Sequence, residues 1–281
     1  MGKCLSKGHV EGAQEEKKEV KKEEKRNSVQ FYPIADKYNT IEEVQGALRK
    51  AGLESSDIIL AVDFTEINKT AGSKSFGGKS LHDTGSDFQN PYQQAISIIG
   101  RTLEVFDDDR QIPAYCFGDK ATGGNTISPF REDGKPCDGF KEVLQRYNEI
   151  APTKVLAAEC NFAAVIRSAI ETVKELRAYH ILVIVTTGQV TNREATEKAI
   201  VEASKHALSI VAIGVGDGPW DIMQFFDDEI TSRVFDNFQF VPFDEVMKKV
   251  PPGADADAAF ATAALMEIPD QFKLIQQLGY L

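Results

Sequence analysis

The 281-residue chain carries 43 acidic against 32 basic side chains, a formal charge of -11, and 42% hydrophobic residues. That acid surplus excludes nucleic acid as the expected partner, because a phosphate backbone selects basic surfaces. No apolar run approaches the ~20 residues of a spanning helix, and the first residues lack the apolar core of a secretory signal, so any membrane contact is expected to be peripheral. Cys4, Cys116, Cys137 and Cys160 show no C-x-x-C spacing, which suits a reduced intracellular chain.

Residues 1–26 hold eight Lys/Arg against six Glu, a surplus of two, so the rest carries -13 of the total -11. Met1-Gly2-Lys3-Cys4-Leu5-Ser6 matches the N-myristoylation pattern, in which Met removal exposes Gly2. One myristoyl chain binds a membrane only marginally, so Cys4 is the candidate for a second, palmitoyl anchor. Residues 9–28 have too few apolar side chains to bury, and residues 1–30 are expected to be a disordered, charged tether. The plain alternative is an unmodified, solvated leader.

From residue 31 the pattern becomes α/β. Helices are expected at Ile41–Lys50, Asn90–Phe106, Phe140–Ile150, Asn161–Leu176 and Glu194–His206, where apolar residues recur at helical spacing. Strands are expected at Asp57–Asp63, Ile112–Phe117, His180–Thr186, Leu208–Gly214 and Phe238–Val241. After Phe243 the chain reads as alanine-rich helix, broken at Pro251-Pro252-Gly253 and at Leu265–Pro269. His180–Thr186 is apolar on both faces, as a central parallel strand covered by helices must be. Strands alternating with helices predict a doubly wound, mostly parallel, Rossmann-like sheet, residues 31–281, with ligands at the C-terminal strand ends.

Several segments occur in the order seen in copine-type von Willebrand factor A domains. They are Asp63-Phe64-Thr65, Lys79–His82, Asn90-Pro91-Tyr92, Phe117-Gly118-Asp119, Thr187–Thr191, Gly214–Asp221 and Phe235–Val241. With Ala264–Pro269, the chain most resembles the RING-domain ubiquitin ligases related to copines. No eight-ligand Cys/His cluster for a RING occurs in it, so ubiquitin transfer by this chain alone is not expected.

The resemblance implies a metal-ion-dependent adhesion site built by three loops. Asp63 and Thr65 fit it, but Ile67 stands where a hydroxyl belongs, Cys160 replaces a threonine and Thr187 replaces an aspartate. Mg²⁺ and Ca²⁺ are hard cations that require oxygen ligands. The site therefore reads as degenerate, with Asp63 and Thr65 retained to cap the strand end and bond loop backbone. Alternatively, Glu66, Glu159 or Asp119 rebuild a different Mg²⁺ or Ca²⁺ site.

Gly214-Val215-Gly216-Asp217-Gly218 lacks the third glycine of a dinucleotide fingerprint. Pro219 there suits a first helical turn, with Asp217 or Gly218 near the cap. Asp227-Asp228-Glu229 reads as an exposed helix end, and Trp220, Phe225, Phe226, Phe235, Phe238 and Phe240 as core. Cys160 reads as a small packing residue, or as a thiol activated by a helix N-terminus. No nucleophile–base set or metalloprotease motif is present, so no catalytic residue is assigned.

The expectation is a noncatalytic protein-interaction module on the cytoplasmic face of a membrane, the plasma membrane foremost, with a cytosolic pool. Protein clients would dock on loops carrying Glu66, Asn68, Asp119, Glu159, Asn161 and Thr187. The rival is client recognition for ubiquitination, by a RING-less ligase relative or as a partner of a complete ligase.

Overall fold

The computed structural model describes residues 40–50, 52, 53, 55–85 and 88–281. Gly2 and Cys4, with the expected tether, lie outside the described residues. Helix α1 is Ile41–Lys50, and strand β1, Asp57–Asp63, follows it. Helix α2, Pro91–Leu103, is set by a capping box: the Asn90 side chain accepts from the Gln93 N–H, and the Gln93 side chain accepts from the Asn90 N–H.

Strands β2 (Gln111–Ile112) and β3 (Ala114–Phe117) divide what the sequence reads as one strand. Pro113 lies between them and has no N–H to donate to a ladder. Ile112 pairs with β5 (Cys137–Asp138) in a small antiparallel ribbon, whereas Ala114 joins the main sheet beside Leu60. Two-residue β4 (Ser128–Pro129) closes that sheet edge antiparallel to β3; the polar connection shows no sequence signal for it.

Helix α3 is Gly139–Ile150, α4 is Ala163–Leu176, and β6 is His180–Thr186. Next come α5 (Arg193–Ala203), β7 (Leu208–Gly214), the short α6 (Asp221–Gln224) and β8 (Phe238–Pro242). Helices α7 (Phe243–Lys249), α8 (Ala256–Leu265) and α9 (Ile268–Gln277) complete the chain.

The main sheet runs β4-β3-β1-β6-β7-β8, parallel except at β4. Every residue of β6 and β7 is buried, which requires cover on both faces. Two helix groups supply it: α4 packs on α5, while α8 packs against α1, α2 and α7. The chain leaves β1 toward β3 and later returns on the other flank at β6. The switch point therefore falls beside β1, where open α/β sheets place their sites.

Candidate functional site

Asp63 ends β1 at this switch point, wholly buried. Its Oδ1 accepts the Thr65 N–H at 2.7 Å. Its Oδ2 accepts the Thr186 hydroxyl at 2.8 Å, the Thr187 N–H at 3.0 Å and the Thr187 hydroxyl at 3.1 Å. Four donors therefore face this one carboxylate, and all come from the protein itself. The Thr187 hydroxyl thus donates to Asp63 where the family pattern has a second carboxylate.

The other side of the loop is equally anchored. The Asp63 carbonyl accepts from Asn68 Nδ2 at 3.2 Å and from His82 Nε2 at 2.8 Å. The Tyr92 hydroxyl lies 2.7 Å from Asn68 Oδ1 and 3.1 Å from the same carbonyl. His82 Nδ1 sits 2.9 Å from the Tyr147 hydroxyl. Since a carbonyl can only accept, Nε2 carries the proton and Nδ1 accepts from the tyrosine. Burial drives the His82 pKa down to about 4, against the opposing pull of the Asp63 carbonyl, so the ring is neutral. The His82 ring stacks between Phe64 (4.4 Å) and Tyr92 (4.3 Å).

These residues do not fit a magnesium or calcium ion. Asp63 has both oxygens engaged by donors, and Ile67 offers none. Cys160 is buried, and burial followed by the Asp63 charge pushes its thiol well above its ordinary value, so it stays protonated. It lies before α4 and outside its first turn, so helix-terminus activation does not occur. One atom departs from the sequence expectation: Thr65 Oγ1 is buried without a hydrogen-bond partner and caps nothing. A lone hydroxyl beside a saturated carboxylate is far from an octahedral oxygen set.

The four loops foreseen as a docking surface do converge. Glu66 N–H donates to the Ala157 carbonyl (2.7 Å), Lys120 N–H to Val155 (2.7 Å), and Thr191 N–H to Cys160 (2.9 Å). Gly118, at φ +76°, leaves so little room that an added Cβ would meet Thr65 Cγ2 at 2.6 Å.

Burial divides the candidate contact residues. Asn68, Asp119, Asn161 and Thr187 are buried. Asp119 pairs with Lys154 at 2.8 Å and takes the Thr122 hydroxyl and N–H; against its burial, these partners hold its carboxyl below its ordinary value. Asn161 Oδ1 accepts from the Ala163 N–H and the Thr196 hydroxyl. Glu66 and Glu159 are exposed, although Glu159 Oε2 also accepts the Gly124 N–H at 3.1 Å. The sequence reading did not single out Ile67 as an exposed side chain of this loop: it is 38% exposed. Apolar character at a lost ligand position was its signal.

A fifth loop joins this end of the sheet. Asp217 accepts from the Ser73 hydroxyl and from the Lys74 and Ser75 N–H groups at 2.7 to 2.8 Å. These bonds outweigh burial and hold its carboxyl down to about 2. Asp217 therefore ties the loop after β7 to residues 73–75. It caps no helix, because Trp220 precedes α6 at the cap position and Pro219 lies outside the helix. Trp220, Phe226, Phe235, Phe238 and Phe240 are core; Phe225 is half-buried beneath the Arg193 guanidinium, 3.5 Å from its ring centre. Asp228 and Glu229 are exposed, but Asp227 is half-buried, and burial followed by Asp236 pushes its carboxyl up to about 8.

The doubly wound sheet, with Asp63 at its switch point and loops gathered around it, defines a von Willebrand factor A-type domain. The copine family profile matches residues 80–281, and the chain belongs to that family. The E3 ubiquitin-protein ligase RGLG2 of Arabidopsis thaliana is 47% identical, over 92% of this chain and 58% of that protein. RGLG5 of the same plant is 49% identical, over 88% of this chain and 60% of its own length. Copine family protein 1 of Caenorhabditis elegans is 46% identical, over 86% of this chain and 22% of that protein. The chain thus spans somewhat more than half the length of these plant relatives. A solved structure of manganese-loaded Plasmodium vivax TRAP protein aligns over 73% of this chain and 74% of that chain, at 13% identity and a TM-score of 0.44.

Proposed function

We propose that this domain is a noncatalytic protein-interaction module whose docking platform is the rim of loops around Glu66, Ile67 and Glu159. The observation that carries this reading is the Asp63 carboxylate, whose charge is met by four internal donors. The platform is thereby pre-organised without a cation, which lowers the ordering cost of binding. An exposed isoleucine beside Glu66, with Glu159 on the adjoining loop, suits a client segment that pairs an apolar anchor with basic residues. In this reading an acylated Gly2, with Cys4 as second anchor, holds the platform at the cytoplasmic face of a membrane.

A second reading follows from the relatives named as ubiquitin ligases: the platform selects clients for ubiquitination, by this chain's longer form or by a ligase partner. The test is affinity capture with the double charge reversal Glu66→Lys and Glu159→Lys beside the wild type. The proposed platform requires that the captured set be lost in the variant and kept in the presence of EDTA. An unchanged set in the variant sinks it, and loss in EDTA returns the metal to the argument. Ubiquitin conjugates among the specifically captured proteins favour the second reading over a plain scaffold.

A further inference from the structure

The opposite end of β1 presents a different constellation. Asp57 opens the strand, and Asp107 and Asp109 follow α2 in the sequence Asp107-Asp108-Asp109-Arg110. One carboxylate oxygen from each of Asp57, Asp107 and Asp109 lies within 4.8 Å of the other two. Asp107 is 5% exposed, and its Oδ1 is buried without a hydrogen-bond partner. The hydroxyl of neighbouring Ser56, 1% exposed, is also unpartnered, although the Ser56 backbone is fastened to the Phe106 carbonyl at 2.7 Å.

The surroundings meet this charge only in part: the Arg110 N–H bonds to the Asp107 carboxyl and His180 faces Asp57. The Arg110 side chain turns toward Asp138 (3.3 Å) and Glu104 (3.9 Å). His180 Nε2 is 3.5 Å from Asp57 Oδ2, and its Nδ1 donates to the Ala178 carbonyl at 2.9 Å. Asp109 Oδ1 accepts the Gln111 N–H at 2.8 Å. Asp108 adds a further exposed carboxylate. Burial first, then the Asp109 and Asp57 charges, push the Asp107 carboxyl up to about 6, against the pull of the Arg110 N–H. An isolated acidic patch on a surface spreads into solvent; this one is half sunk, with a buried Asp107 oxygen left unpartnered.

We propose that Asp57, Asp107 and Asp109 form a calcium site at the N-terminal end of β1. Three carboxylates make a hard, anionic oxygen set, and the exposed side at Asp109 leaves room for water ligands. Ligands drawn from a strand and a turn give an irregular shell, which calcium tolerates and magnesium does not. The bound ion would clamp the turn after α2 onto the first residue of the central strand. It would sit about 20 Å from Asp63, since β1 rises roughly 3.3 Å per residue, and so would act independently of the docking platform.

The experiment is calorimetric titration of the metal-free protein with CaCl₂, and separately with MgCl₂, beside Asp107→Asn, Asp109→Asn and Thr65→Ala. Wild type and Thr65→Ala should bind calcium with equal affinity, and each Asn variant should lose about tenfold or more. The wild-type thermal midpoint should rise with calcium, and the rise should vanish in Asp109→Asn. That exposed substitution removes a repulsion, so the metal-free variant should melt no lower than wild type and report on binding with the fold intact. No calcium heat at millimolar concentration, a response to magnesium alone, calcium binding retained in Asp109→Asn, or loss in Thr65→Ala would each overturn the assignment.

Discussion

His82 shows how one residue sets the chemistry under the platform. Its ring accepts from Tyr147, donates to the carbonyl of Asp63 and fills the space between Phe64 and Tyr92. Protonation would place a second N–H against the Tyr147 hydroxyl inside an apolar stack. The folded pKa, about 4, lies below the ordinary value of 6.5, so the folded state binds fewer protons across that interval. Stability is therefore fully present above pH 6.5 and is lost as pH falls toward 4, by about 3 kcal/mol for this group alone. Denaturant titrations at stepped pH should show a shallower fall over that window in His82→Gln than in wild type. Equal slopes would mean that the ring is not held neutral.

At the scale of elements, Asp63 works as a clasp between β1 and the end of β6. The backbone ladder already joins the two strands from Asp57–His180 to Val62–Val185. Asp63 extends that union past the last ladder pair, into the turn at Thr186 and Thr187. Asp63→Ala would leave buried hydroxyl and N–H donors without an acceptor, and should cost about 3 kcal/mol or more by chemical denaturation. In Asp109→Asn, where the calcium response is removed, the midpoint should not respond to EDTA. An Asp63→Ala variant as stable as wild type would show that the carboxylate is dispensable to the fold, which would favour a retained ligand role.

At the scale of the whole molecule, the parallel sheet carries two polar ends with different chemistry. The C-terminal end holds the saturated carboxylate and the outward-facing Glu66, Ile67 and Glu159. The N-terminal end gathers the Asp57, Asp107 and Asp109 carboxylates, with Asp107 Oδ1 left without a partner. Attachment through residues 1–30, which lie outside the described residues, would add a third function. Intact mass of the native protein should carry a myristoyl increment, and membrane fractionation should lose the protein to the soluble pool in Gly2→Ala. An unmodified mass with the same fractionation in both forms removes the membrane from the functional reading and leaves the platform unaffected.

Much of this architecture was legible in the chain. The bounds of β1, β6 and β7 follow from largely apolar runs, because a strand buried on both faces admits a polar side chain only with a buried partner, as Ser209 has in the Tyr179 hydroxyl. The helices follow from apolar spacing and from caps such as Asn90-Pro91, and the family from ordered motifs around Asp63, His82 and Thr187. These are local properties, written within a few residues. Side-chain direction in the loops is not local. Asn68 and Glu66 are two positions apart in one turn, yet one is buried against Tyr92 and the other faces solvent. The fate of Asp63 depends on hydroxyls 123 and 124 residues away, and the Asp57 cluster on carboxylates 50 and 52 positions distant. Sequence alone determined the long parallel strands, their alternation with helices and the loss of metal-ligand types. Only the tertiary structure decided where the remaining charges are satisfied, because neutralisation in a folded chain depends on distances that folding itself creates.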